Sequence, residues 1–263
     1  MLPLRDHNPS GRVPVVTWAL IVLNLVVFLQ TTAFLPEGPA LARIYTTWGL
    51  VPRDVTLGRN YAGLLTAMFL HASLLHLGGN MLFLWIFGDN LEAVLGRAGF
   101  LALYLAGGVL AGLAQWAAGP WSPAPAIGAS GAVAAVMGGY LLFFPRGQVD
   151  VLIFLVVIIR ILPFTAWSIL LVWFGVQLMG ALGADATTGG VAYWEHVGGF
   201  IAGMVLLLPA WRAKGGRRLW VRGEPPHPPG RWGPIRRTTM PEVRRALRPG
   251  RRDHRGPRGP RGR

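Results

Sequence analysis

Four polar residues of types that carry out acyl-transfer chemistry stand within otherwise apolar sequence, namely Ser130, His196, His76 and Asn80. A serine hydroxyl is a weak nucleophile unless a neighbouring base accepts its proton, and either histidine could be that base. An asparagine amide can donate a hydrogen bond to the oxyanion that forms when a carbonyl is attacked. His76 and Asn80 are four residues apart, so a helix would place them on one face. The set indicates nucleophilic hydrolysis.

The serine lies in the run Gly128-Ala129-Ser130-Gly131, at the start of an apolar segment. Free backbone N–H groups and the helix dipole favour negative charge at such a helix start. The flanking glycines remove side-chain bulk, so we expect a substrate carbonyl to approach Ser130 closely. Alone, such a run is more typical of helix packing, and only its combination with the histidines favours catalysis. A catalytic triad would add an acidic residue to the serine and the histidine, and no Asp or Glu occupies an obvious position for that role. A Ser-His dyad is therefore the more economical hypothesis.

Long apolar segments must position these side chains. Of the 263 residues, 52% are hydrophobic and 14% are charged, against about 25% charged residues in soluble domains. About 20 apolar residues span a bilayer, and we predict an all-α polytopic membrane protein with six transmembrane helices. In chain order the predicted spans are Val13–Leu35, Leu70–Leu91, Gly99–Ala118, Ile127–Phe144, Phe164–Leu182 and Tyr193–Trp211.

Two further regions are assigned from composition. A long first loop is expected at Pro36–Gly63, and Val149–Leu162 is interpreted as a connector or interfacial segment, with a seventh span as the alternative. Small residues recur at spacings that allow close helix packing. These pairs are Gly108/Gly112, Gly131/Gly139 and Gly199/Gly203.

The net charge of +14 is confined to the end of the chain, since 17 of the 25 Lys and Arg residues follow residue 210. We therefore divide the chain into a short N-terminus (1–12), a membrane domain (13–211) and a basic tail (212–263) rich in Pro, Gly and Arg. Such a tail is expected to be disordered. Anionic lipid headgroups are one partner that such a tail could bind, a topology anchor without a specific partner is the alternative, and nucleic acid is a weaker hypothesis. Nothing in the sequence indicates an oligomeric state.

The positions of the arginines favour an inside location for both termini. We predict a multi-pass protein of a bacterial plasma membrane, with no cleaved signal peptide and with both termini cytoplasmic. In this topology Ser130, His196, His76 and Asn80 fall within roughly 15 Å of the outer surface, on three different helices. The absence of cysteine excludes disulfides, zinc–thiolate sites and cysteine nucleophiles.

At these residues the chain resembles the rhomboid family of intramembrane serine proteases. The resemblance rests on the run from His71 through His76 to Asn80, on the box around Ser130, and on His196-Val197-Gly198-Gly199, in the family order. It covers roughly Val13 to Trp211 and implies a six-helix rhomboid-like bundle. It also implies cleavage of transmembrane substrate proteins in or near their membrane helices, without a metal or other cofactor.

The resemblance further implies a role for each matching residue. Ser130 would be the nucleophile and His196 the base, while His76, Asn80 and the Ser130 N–H would form the oxyanion hole. His71 and Glu92 would hold the long first loop and its attachment. Structural positions near the site are implied for four glycines, namely Gly128, Gly131, Gly198 and Gly199.

The chain departs from the family pattern at three places. Ala62-Gly63 replaces a Trp-Arg pair, Ala134 replaces an aromatic residue that stacks on the histidine, and Glu195 replaces a small residue. We expect Glu195 to be solvated at the outer rim, with an inward position beside His196 as the alternative. Because of these departures, an inactive rhomboid-like protein that binds transmembrane helices is an alternative interpretation. A small channel or transporter, with the same polar set lining a pathway, is the weaker alternative.

Overall fold

The computed structural model describes residues 2–8, 10–35, 37–155, 158–185 and 189–222. Within them the chain is mostly helical, and three helices are long and apolar enough to span a membrane, namely Leu74–Ala118, Ala166–Gly183 and Tyr193–Ala213. Two shorter apolar helices are Val15–Thr31 and Ser130–Phe143. The expectation of a largely helical membrane protein is confirmed at this level, and the number of six crossings stays a prediction.

Nine helices are numbered in chain order over the described residues. They are α1 (Val15–Thr31), α2 (Pro39–Trp48), α3 (Pro52–Thr56), α4 (Gly63–Thr66), α5 (Leu74–Ala118), α6 (Ser130–Phe143), α7 (Ala166–Gly183), α8 (Tyr193–Ala213) and α9 (Arg217–Arg222). A 3₁₀ turn at Ala67–Phe69 follows α4. The short helices α2 and α3 lie inside the predicted long first loop.

Helix α5 is divided in two by Gly96, whose φ of 75° and ψ of 167° are not helical. A Cβ atom added at Gly139 of α6 would lie 3.2 Å from Leu91 and 3.7 Å from Leu103, which belong to the two halves of α5. The chain therefore turns back on itself at Gly96. The two halves correspond to the second and third predicted spans, and the turn needs glycine because a side chain disfavours positive φ.

Helix α6 forms the centre of the bundle, and all its residues after Ser130 are buried. It packs against α5 and α8. The contact with α8 is a backbone contact at several points, among them those where Gly138 meets Phe200 and Gly203 meets Ala135. Small residues permit this approach, and the close contact places α8 directly against α6.

A three-stranded antiparallel sheet corrects the all-α prediction. Its strands are β1 (Leu2–Asp6), β2 (Gln148–Leu155) and β3 (Ile158–Thr165), in the order β1-β2-β3. The predicted connector at 149–162 is thus a hairpin, and the N-terminus supplies its third strand. Runs rich in Val and Ile favour strands, whereas a count of apolar residues alone does not distinguish a strand from a connector. Asp150 of β2 accepts a hydrogen bond of 2.9 Å from Arg5 of β1.

The first part of the predicted disordered tail is helical. Helix α8 continues to Ala213, and α9 follows it. The indole N–H of Trp220 in α9 donates a 2.8 Å hydrogen bond to the carbonyl of Leu142 in α6, and its ring lies 5.3 Å from that of Trp211. The fold therefore extends past the predicted boundary at residue 211. Residues 223–263, the remainder of that tail, lie outside the described residues.

Glu92 of α5 binds the start of α1. Its carboxylate accepts hydrogen bonds from the backbone N–H groups of Val16 (2.9 Å) and Thr17 (2.8 Å) and from the Thr17 hydroxyl (2.9 Å). The contacts of Glu92 among the described residues are with the start of α1, and the role implied by the resemblance, to hold the long first loop and its attachment, stays a prediction. A negative side chain satisfies the unpaired donors and the positive dipole end of a helix N-terminus, and that requirement accounts for the buried carboxylate here.

We predict that Glu92→Gln lowers the free energy of unfolding by about 1–3 kcal/mol, since buried donors lose a charged partner. Thermal unfolding of the purified protein in detergent measures the change. Glu37→Gln is the matched control, because Glu37 is exposed and its replacement should leave the unfolding temperature unchanged. Equal unfolding temperatures for Glu92→Gln and the wild type would contradict the proposed contribution of this contact.

Candidate active site

The four polar residues singled out in the sequence line one cavity of about 450 Å³. Ser130 begins α6, His196 lies in the first turn of α8, and His76 and Asn80 lie near the start of α5. Apolar side chains such as Phe83, Val133, Met137 and Trp173 line the rest of the cavity. The structure therefore brings together the residues that the sequence places on three separate helices.

The turn before Ser130 is held by hydrogen bonds from its backbone. The Gly128 N–H donates to the Ala67 carbonyl (2.9 Å), and the Ala129 N–H donates to Nε2 of the buried His71 (3.4 Å). The carbonyl of His71 accepts from the hydroxyl of Thr32 (2.9 Å), which follows α1. His71 therefore links the chain entering the first loop to the residue preceding Ser130.

Gly128 brings the oxyanion candidates next to the serine. Its φ is +132°, and an added Cβ would lie 2.7 Å from Nε2 of His76 and 3.6 Å from Nδ2 of Asn80. Any larger residue would collide with the imidazole. The position therefore requires glycine both for its positive φ and for the space that His76 occupies. The imidazole of His76 and the amide of Asn80 thus face the backbone two residues before Ser130.

Asn80 carries a free hydrogen-bond donor. Its Nδ2 is buried and has no hydrogen-bond partner among the described residues, and only 8% of the residue is exposed. Leaving such a group unpaired costs about 1–3 kcal/mol. This donor lies beside the cavity and next to Gly128, where it is available to a substrate oxygen atom bound near Ser130.

The other glycines near the site serve helix packing. A Cβ on Gly131 would lie 2.6 Å from the Ala111 Cβ and 2.7 Å from the Glu195 Cγ. Gly198 contacts Ala114 and Gly199 contacts the backbone of Gly131. The expectation that Gly131 opens a path for substrate is therefore wrong, because this glycine faces α5 and α8 instead of the cavity.

Glu195 is buried, with 4% of its surface exposed. Its side chain lies against Gly131, and its backbone N–H donates to Oε1 of Gln115 (3.3 Å). The expected solvated position at the outer rim is therefore wrong. The first turn of α8 packs against α5 and α6, so a residue one position before His196 points into the helix interface.

His196 is held by residues that the sequence pattern did not single out. Its Nδ1 lies 2.7 Å from Oε1 of Gln177, and the rings of Trp173 and Tyr193 lie 6.0 Å and 6.4 Å away. These aromatic rings flank the histidine, while Ala134 is fully buried in α6. One signal was present in the sequence, since Gln177 is an amide inside an apolar span and such residues are candidates for function.

The described residues include no hydrogen bond between Ser130 and His196. Both side chains nevertheless line the cavity that holds His76 and Asn80. Catalytic hydrogen bonds are often long without substrate and tighten when it binds. The arrangement is therefore a serine hydroxyl, two imidazoles and an amide around one cavity, and the described residues include no hydrogen bond between the hydroxyl of Ser130 and His196.

The first loop is anchored without the Trp-Arg pair that Ala62-Gly63 replaces. Leu50 and Ala126 exchange two backbone hydrogen bonds of 3.0 and 2.8 Å, and the Asn60 amide donates to the Thr47 carbonyl (3.1 Å). The first of these contacts ties the loop to the segment leading to Ser130, and Ala126 itself lines the cavity. The loop therefore contacts the segment that lines the cavity, through the backbone pairing of Leu50 with Ala126.

Comparison with known proteins identifies similar sequences. A family model described as the Rhomboid domain matches residues 58–213. The chain is 27% identical over 200 residues to Rhomboid protein 1, mitochondrial, of Saccharomyces cerevisiae, covering 72% of this chain and 51% of that protein. It is 28% identical over 173 residues to Presenilin-associated rhomboid-like protein, mitochondrial, of Homo sapiens, covering 62% and 40%.

A third relative is Rhomboid protease GluP of Bacillus subtilis, with 31% identity over 131 residues, 49% of this chain and 24% of that protein. The chain thus spans about half or less of the length of these relatives. The yeast and human proteins are mitochondrial by name, and this finding overturns the prediction of a bacterial plasma membrane. Arginine positions bear on the orientation of the spans and carry no information about which membrane holds them.

Proposed function

The chain belongs to the rhomboid family, and on that premise we propose that it is a serine endopeptidase acting within the membrane. Its substrates would be membrane proteins, cleaved in or near a transmembrane helix. The observation that carries this proposal is the single cavity lined by Ser130, His196, His76 and Asn80. A nucleophile, a base and two oxyanion donors at one place provide the groups that peptide hydrolysis requires.

The first step follows from the hydrogen bond at Nδ1 of His196. The Oε1 atom of Gln177 can only accept, so Nδ1 carries the proton and Nε2 keeps its lone pair. Nε2 takes the proton of the Ser130 hydroxyl while Oγ forms a bond to the substrate carbonyl carbon. The resulting imidazolium returns that proton to the leaving amine as the peptide C–N bond breaks. Water then hydrolyses the acyl-enzyme by the same base catalysis.

The oxyanion would form beside the start of α6. The unpartnered Nδ2 of Asn80, a ring N–H of His76 and the backbone N–H of Ser130 are its donors. Nε2 of His76 and Nδ2 of Asn80 both lie near Gly128, which fixes them relative to the serine. Donors held in place before reaction cost no reorganisation when charge develops, and each is worth about 10²–10³ in kcat.

The substrate must expose a peptide bond that a helix normally shields. Local unwinding is easiest at Gly and Pro, which are poor helix formers. The cavity is mostly apolar with polar groups at the serine, which suits an unwound stretch at the end of an apolar helix. We therefore expect cleavage near such helix-breaking residues.

The proposal is tested by reconstituting the purified protein in liposomes with a single-span reporter carrying Gly and Pro near one end of its helix. We expect a cut within or beside the span, mapped by mass spectrometry. A matched reporter with an all-leucine span should be cut more slowly. Failure to cut a panel of single-span reporters, with helix binding retained, would contradict the proposal and favour an inactive helix-binding member of the family.

A further inference from the structure

Gln177 provides the side-chain hydrogen bond to the imidazole of His196. Its Oε1 lies 2.7 Å from Nδ1 of the histidine. Among the hydrogen bonds of the described residues, it is the one side-chain bond from α7 to another helix. The helix is otherwise apolar in its middle, and several of its neighbouring side chains face outward, including Val176 (60% exposed) and Met179 (71%). A polar amide in such a helix is costly unless paired, and here the pairing partner is the candidate base.

The bond selects one of the two neutral forms of the imidazole. An amide oxygen accepts and does not donate, so it requires a proton on Nδ1 and leaves Nε2 as the basic atom. The rings of Trp173 and Tyr193 lie near the imidazole, and neither is hydrogen-bonded to Nδ1 among the described contacts. Those rings restrict where the imidazole sits, whereas Gln177 determines which nitrogen holds the proton.

On the premise of the proposed peptidase function, we infer that Gln177 is a positioning residue for His196. It acts as the third, neutral member of a Ser130–His196–Gln177 arrangement. A carboxylate in this place would stabilise the imidazolium more strongly, but burying an additional charge is expensive. The neutral amide orients the base without that cost. The third residue of this arrangement is thus an amide on a different helix.

The test combines the kinetics of reporter cleavage with a spectroscopic measurement of which imidazole nitrogen of His196 carries the proton. Three variants are compared with the wild type: Gln177→Leu, Gln177→Glu and the control Met179→Leu, an exposed position on the same helix. We expect Gln177→Leu to lower kcat on the liposome reporter by about 10-fold to 100-fold, less than the 10²–10⁴ contribution of a general base. KM should stay within about twofold, since Gln177 is not among the described residues that line the cavity. Met179→Leu should match the wild type.

The Gln177→Glu variant keeps an acceptor oxygen beside Nδ1 of His196 and adds a negative charge. The carboxylate favours the imidazolium, so the acid limb of the kcat/KM profile should move to higher pH. The other titratable side chains near His196 among the described residues are His76 on α5 and, on α8, Tyr193 and Glu195, whose side chain lies against Gly131. All three are unchanged in the variant. The charge alone would move this profile, so the neutral variant decides the role: a Gln177 that only filled space would leave kcat unchanged in Gln177→Leu.

Nuclear magnetic resonance of ¹⁵N-histidine protein in detergent separates this inference from the proposed function. We expect the wild type to show His196 protonated at Nδ1, and Gln177→Leu to lose that preference, whether or not any reporter is cut. An unchanged Nδ1–H signal in Gln177→Leu would overturn the positioning role even if the wild type is an active peptidase. Wild-type kcat in Gln177→Leu would overturn it equally.

Discussion

Replacing Ser130 with alanine should lower cleavage of the liposome reporter at least about a thousandfold. The alanine removes the only atom that can form the acyl-enzyme in the proposed mechanism, and loss of a serine nucleophile costs this much or more in serine hydrolases. Ser130 is the first residue of α6 and is partly exposed to the cavity, so the shorter side chain creates no buried void. The rate of product formation per folded protein is the quantity to measure.

Ser10→Ala is the matched control for this experiment. Ser10 lies outside the cavity and donates a hydrogen bond of 3.3 Å to the Arg12 carbonyl, so its removal should leave cleavage unchanged. Cleavage by Ser130→Ala at a rate within tenfold of the wild type would show that another group attacks the peptide bond. The proposed mechanism would then be lost.

Removing the amide of Asn80 is expected to have the second largest effect. Asn80→Ala should lower kcat by about 10²–10³, the cost of losing one oxyanion donor. Its KM should change little, because the donor acts on charge that develops only during reaction. The variant should fold, since Nδ2 of Asn80 has no partner to lose among the described residues. Steady-state kinetics on the reporter give both constants.

Asn90→Ala provides the comparison for Asn80. Asn90 is a buried amide on the same half of α5, but its side chain binds Asp6 and Asp89 away from the cavity. We expect Asn90→Ala to reduce stability and to leave kcat per folded protein near the wild-type value. If both variants lose kcat to the same extent, the amide of Asn80 has no special relation to the oxyanion.

The helices that hold the site could be predicted from the sequence because each depends on a property of its own residues. Hydropathy located the segments that became α1, both halves of α5, α6, α7 and α8 to within a few residues. The placement of His76, Asn80, Ser130 and His196 at one depth followed from counting residues along those segments. Their meeting in one cavity needed only the packing of α5 and α8 on α6.

What could not be predicted depends on partners distant in the chain. Strand β1 pairs with β2, and an apolar count over either segment alone contains no trace of that pairing. Glu92 binds the start of α1, and Glu195 is buried against Gly131. An isolated carboxylate in a sequence does not reveal which helix end or interface will receive it. The contact of Gln177 with His196 also joins two helices, and a single neutral amide in an apolar segment does not indicate which side chain it will meet.

A fluorophosphonate probe tests the central claim most directly, because it reacts with a serine only when a neighbouring base activates it. We predict that the wild-type protein in liposomes is labelled at Ser130, identified by peptide mapping. His196→Ala should be labelled at least about a hundredfold more slowly, in keeping with the contribution of a general base. Labelling at another residue, or equal labelling of Ser130 in His196→Ala, would contradict the assignment of these two residues as nucleophile and base.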